Sequence, residues 1–149
     1  MVRQMRYAVF GALCLLASSA TAPAQSTSSI LSDFGFIGTW AMRCGAAPAA
    51  DNITEVVTVM PEGTVRFTTD LGPRFTPNNY VVLSARRIDP KTIVIRIRLN
   101  NDILEDLTVI KDGNGIRTMT NRKTTGEVLV RHGVILSNGR KTPWMRKCG

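Results

Sequence analysis

From Ile37 to the end of the chain, apolar residues tend to recur at every second position, in runs broken at short intervals by Gly, Pro, Asn and Asp. That repeat puts alternate side chains on opposite faces of an extended strand, and no long helical stripe competes with it. The spacing predicts strands over Ile37 to Cys44, Ile53 to Met60, Thr64 to Thr69, Tyr80 to Ile88, Thr92 to Leu99, Ile103 to Lys111, Ile116 to Arg122, Glu127 to Leu136 and Pro143 to Cys148. Between them stand turn signals such as Pro61-Glu62-Gly63, Asp89-Pro90-Lys91, Asn100-Asn101-Asp102 and Asp112-Gly113-Asn114-Gly115. Gaps this short join antiparallel neighbours, so the order in sequence is expected to be the order in space. The expected fold class is all-β, an antiparallel up-and-down meander of about eight strands closed into a barrel, because closure removes the exposed edges. A β-sandwich of two sheets is the alternative.

The two ends carry one short pattern, Trp40-Ala41-Met42-Arg43-Cys44 and Trp144-Met145-Arg146-Lys147-Cys148, and these hold both tryptophans of the chain. The third cysteine, Cys14, falls in what reads as a cleaved signal peptide over residues 1–24. There Arg3 and Arg6 precede an apolar run from Tyr7 to Ala20, and Ala22-Pro23-Ala24 supplies the small residues of a cleavage site. An exported chain meets an oxidising compartment, so Cys44 and Cys148 are expected to form a disulfide. Such a bridge closes a loop of about 100 residues, for which chain entropy allows at most roughly 4.7 kcal/mol. If the terminal strands ran parallel the two tryptophans would meet, whereas antiparallel pairing would send them apart. After the leader, residues 25–36 read as a flexible Ser/Thr-bearing arm with a short lead-in segment, and residues 37–149 as a single β domain.

The formal charge is +8 for the whole chain and falls by two without Arg3 and Arg6, with no dense basic block. Spread positive charge suits an anionic surface, and export argues against nucleic acid. His132 is the lone histidine, which excludes a zinc site of several His ligands and leaves any Ser-His-Asp triad one place to stand. No Gly-x-Ser-x-Gly or phosphate-loop pattern occurs, and Asp102, Glu105 and Asp106 lack calcium-loop spacing. These residues point to a binding protein rather than an enzyme, with no cofactor and no metal.

Ile93, Ile95, Ile97 and Leu99 share one strand face, with Arg96 and Arg98 on the other. The register of the next strand depends on the turn at Asn100-Asn101-Asp102. A three-residue loop sets Ile97 opposite Glu105 and Arg96 opposite Asp106, turning Glu105 inward as a polar contact in a cavity. A two-residue turn sets Glu105 opposite Arg96 or Arg98 as a surface ion pair, which avoids burying an unpaired carboxylate. Glu105, Arg96 and Arg98 are therefore the candidates for a ligand contact or an ion pair. Arg86 and Arg87 on a neighbouring strand extend the two arginines into a basic stripe on the outer face.

Gly38-Thr39-Trp40 resembles the Gly-x-Trp signature that opens lipocalins and related calycin barrels. The resemblance implies an eight-stranded barrel whose floor is plugged by Trp40 beside Gly38, with Arg146, or in second place Lys147, as the cation covering the ring. It also implies a small apolar or amphiphilic ligand. The leader, the stretch Gln25-Ser26-Thr27-Ser28-Ser29 and the cysteine after Gly-x-Trp are similar to the periplasmic inhibitors of serralysin-type metalloproteases, in which such an arm enters the protease cleft. The ending Thr142-Pro143-Trp144 through Lys147-Cys148 resembles that of small uncharacterised exported proteins of Gram-negative bacteria. The expected reading is a monomeric periplasmic or secreted binding protein. Its partner would be a small apolar ligand, or alternatively another envelope protein.

Overall fold

The computed structural model describes residues 25–149, so the signal peptide expected over residues 1–24 lies outside the described residues. The elements are a helix α1 (Thr27–Phe34) and the strands β1 (Gly38–Ala41), β2 (Thr54–Val59), β3 (Val65–Asp70), β4 (Asn78–Asp89), β5 (Thr92–Leu99), β6 (Leu104–Asp112), β7 (Gly115–Lys123), β8 (Val128–Arg131), β9 (Val134–Ile135) and β10 (Met145–Cys148). Strands β1 to β7 pair in sequence order, all antiparallel, and β10 pairs with both β1 and β7. Eight strands thus close a barrel, and the sandwich alternative is set aside.

One part of the meander departs from the expected order. The run Glu127 to Leu136 is split by a turn at His132, whose φ of 51° and that of Gly133, 71°, reverse the chain into the short β8 and β9. These two are additional to the closed ring, with β8 paired to β7 and β9 to β8, and their residues Val130 and Ile135 still line the barrel interior. The last strand can therefore reach β7 directly, with Met145 opposite Ile116.

Residues 25–36 are not a flexible arm. Ser26 caps α1 by accepting from the Ser29 amide at 3.1 Å, and Gly35, at φ 82°, ends it in the left-handed conformation. Leu31 and Phe34, three apart and so on one helix face, are buried, as is Phe36 beyond the helix. The Ser/Thr content disguises an amphipathic turn whose apolar residues join the barrel core, and that burial is what orders the segment.

The core is the inward face of the barrel: Trp40, Val57, Phe67, Ile93, Ile95 and Ile97 are each at most 4% exposed. After Ala41 the chain bends away from β1, and the fully buried Asn52 gathers the following loop. Its side-chain amide donates to the carbonyls of Arg43, Ala46 and Ala47, and its oxygen accepts from the Arg43 amide at 2.7 Å. This loop brings Cys44 beside Cys148 with their α carbons 5.5 Å apart, and the two form the expected disulfide. The terminal strands are antiparallel, with Trp40 opposite Lys147, so the tryptophans do not meet. Trp40 is buried, and Trp144 is exposed with the Arg117 guanidinium over its ring.

Candidate functional site

The floor of the barrel is built from the Gly-x-Trp segment and α1. Trp40 points inward, and its indole N–H donates to the Phe36 carbonyl at 2.8 Å. The Phe36 ring lies 6.5 Å from that of Trp40 and 6.1 Å from that of Phe67, and Phe67 stacks on Tyr80 at 5.3 Å. Cross-strand partners share a face, so the residue opposite Trp40 supplies the covering cation, and that residue is Lys147. Its ammonium sits 5.6 Å from the Trp40 ring centroid and donates to the Gly35 carbonyl at 3.1 Å. Arg146, expected in that role, faces Ala41 and is exposed. Gly38 is required here: its φ is 131°, and a β carbon there would approach Lys147 Cε to 3.0 Å. Lys111 ties the helix end to β6 by donating to the Phe34 carbonyl at 2.9 Å.

Above the floor the barrel interior holds a cavity of about 200 Å³ that is open to solvent on one side. Phe67, Ile97, Leu107, Ile116, Val130 and Met145 supply much of its apolar wall. Four of its polar groups lie toward one end of the barrel, Glu55 near the start of β2, Tyr80 near the start of β4, Glu105 near the start of β6 and Asn121 near the end of β7, while Arg117, near the start of β7, lies toward the other.

The turn at Asn100-Asn101-Asp102 decides the placement of Glu105. The Leu99 amide donates to the Ile103 carbonyl at 2.9 Å, and Asp102 takes a φ of 62°. This is the three-residue loop, and it sets Ile97 opposite Glu105, Ile95 opposite Leu107 and Arg96 opposite Asp106. The surface ion pair of Glu105 with Arg96 or Arg98 is thereby excluded: Glu105 points inward and is 7% exposed. One of its carboxylate oxygens accepts from the Asn121 side-chain amide at 2.8 Å, while the carbonyl oxygen of that amide, Oδ1, is buried without a hydrogen-bond partner. Arg96 instead forms a two-pronged pair with Asp106, at 2.7 and 2.8 Å, which holds the Asp106 carboxyl below the usual carboxylate range. Arg98 stands 4.0 Å from Asp102. Both arginines are on the outer face and take no part in the cavity.

Glu55 is the second interior carboxylate. Val57 on the same strand face is buried, and the register puts Glu55 between Trp40 on β1 and Thr69 on β3. Glu55 is half-buried, and its loss of water pushes its pKa up from 4.5 to about 7. Tyr80 is raised to about 12, first by burial and then by the negative charges of Glu105 and Glu55, so its phenol keeps its proton. Among the described residues neither glutamate has an ion-pair partner. Lys123, opposite Glu105 in register, is held by Glu127 at 2.7 Å. Arg117 also borders the cavity, but its guanidinium donates to the Thr142 hydroxyl at 3.0 Å and the Gly133 carbonyl at 2.8 Å.

Sequence reasoning picked out Glu105 and missed Glu55, Tyr80 and Asn121. The alternation in Ile53-Thr54-Glu55-Val56-Val57 already held the signal for Glu55, which shares its face with Ile53 and Val57. His132 is exposed in the turn between β8 and β9, away from the cavity lining. Among the described residues no group of three His, Cys, Asp or Glu side chains is placed to hold a metal, and no helix is long and apolar enough to cross a membrane. Comparison of the chain with protein-family models, with curated proteins and with solved structures finds no match.

Proposed function

We propose that this chain is an exported lipocalin-like barrel that binds one small amphiphilic molecule in its interior, without catalysing a reaction on it. The cavity carries this reading: a largely apolar chamber with a few convergent polar groups is the ordinary form of a small-molecule site. An eight-stranded barrel either fills its interior with side chains or holds one small ligand, and about 200 Å³ left open favours the second. The Gly38 and Trp40 floor with Lys147 over the ring supports the likeness to lipocalins. The disulfide between Cys44 and Cys148 supports an oxidising periplasmic or extracellular location. An arm-dependent protease inhibitor is the weaker reading, because Leu31 and Phe34 hold the amino-terminal segment against the barrel core.

The test is a two-dimensional amide NMR titration with hexanol. Saturable shifts at Phe67, Leu107 and Val130, with Arg96 and Arg98 unmoved, are the expected result. Shifts scattered over the outer strand faces, or none at any concentration, would overturn the reading.

A further inference from the structure

The polar groups of the cavity are unusual in their sign. Glu105 is more than nine-tenths buried, shares one carboxylate oxygen with Asn121, and has no cationic partner among the described residues. Asn121 Oδ1 is buried with no donor in reach. Glu55 shares the chamber and likewise lacks a cation. A buried acceptor left unpaired is costly, and a buried carboxylate more so, unless something supplies donors and positive charge. The one guanidinium on the wall, that of Arg117, turns its donors to the Thr142 hydroxyl and the Gly133 carbonyl and forms no ion pair with either glutamate.

We infer that the interior takes an amphiphilic cation, a small amine whose ammonium group is held among Glu105, Asn121 Oδ1 and Glu55 and whose apolar tail lies against Phe67, Ile97 and Leu107. An ammonium carries three donors and no acceptor, which matches the unpaired Asn121 oxygen and the two glutamate carboxylates on the wall. The Tyr80 phenol keeps its proton and stands near both carboxylates. A carboxylate ligand meets two like charges here, and a purely apolar ligand leaves the Asn121 oxygen unpaired. This inference rests on the reading of the interior as a binding cavity.

The experiment compares three probes of one shape, hexylamine, hexanol and hexanoate, by isothermal titration calorimetry at mildly alkaline pH, where Glu55 is ionised and the amine still protonated. The expected order is hexylamine tightest, by about tenfold over hexanol, with hexanoate weakest. In Glu105→Gln, and separately in Glu55→Gln, the preference for amine over alcohol narrows toward unity, while Arg96→Ala on the outer face leaves it intact. Circular dichroism establishes that each variant is folded, and either glutamate variant alone suffices for the comparison. Equal binding of amine and alcohol, or tighter binding of hexanoate, overturns the amine preference and leaves the cavity reading standing. Failure of all three probes to bind overturns both.

Discussion

Lys147 holds its ammonium 5.6 Å from the centre of the Trp40 ring while donating to the Gly35 carbonyl, so one side chain joins the last strand, the first strand and the end of the helix. A cation over an indole at an exposed position such as this contributes about 0.5 to 1 kcal/mol, and a charged donor on a carbonyl adds to it. Lys147→Ala is expected to lower the unfolding free energy in urea by about 1 to 2 kcal/mol. Arg146→Ala is expected to stay within about 0.5 kcal/mol of the parent, because its exposed side chain makes no hydrogen bond or ion pair among the described residues. The reverse ranking would show that the floor is covered by Arg146.

The disulfide joins residues 104 apart in sequence, and long loops gain most from closure in the chain-entropy model. Replacing both Cys44 and Cys148 with Ala is expected to cost about 2 to 5 kcal/mol in urea unfolding. A loss of a few tenths of a kcal/mol would mean that closure of β10 between β1 and β7 holds the ends together unaided.

How far the sequence was legible differs from element to element. The strand Thr92–Leu99 has the bounds that its alternation predicts, since four inward aliphatic residues leave no other face for the core. The helix Thr27–Phe34 was illegible by composition, because five of its eight residues are Thr, Ser or Asp and its stability comes from contacts with the barrel. Its signals were local: a Ser cap, Leu31 and Phe34 three apart, and Gly35 just beyond. The displacement of β8 and β9 from the ring was beyond reach, since it depends on β10 finding β7 across intervening chain. Glu105 turned on the length of one loop, and a one-residue change in register would have placed it outside.

The helix is predicted to be part of the fold rather than an appendage. Phe34→Ala removes a buried ring and is expected to cost about 3 to 5 kcal/mol, and Ser26→Ala about 1 kcal/mol through loss of the cap. Thermal unfolding read by circular dichroism checks both. An unchanged midpoint for Phe34→Ala would return the segment to a free arm.

Glu55 gives the protein a predicted pH signature. Its folded pKa of about 7 lies above the ordinary value of 4.5, so between these the folded chain holds a proton that the unfolded chain has released. The stability contributed by this difference is full below about pH 4.5, declines as pH rises toward 7 and is gone above it. Glu55→Gln cannot lose that proton. Its unfolding free energy relative to the parent is expected to rise across this window, by up to ~3 kcal/mol at mildly alkaline pH. A difference that stays flat from pH 4 to 8 would show that the Glu55 carboxyl is solvated rather than enclosed.

Native mass spectrometry of the oxidised protein decides whether the barrel interior is a binding chamber. After incubation with hexylamine, a complex of one probe per chain is expected. It should disappear on denaturation and weaken in Glu105→Gln. Only the bare chain mass at every concentration of hexylamine, and equally of hexanol and hexanoate, with the disulfide intact, would show an interior that takes no ligand.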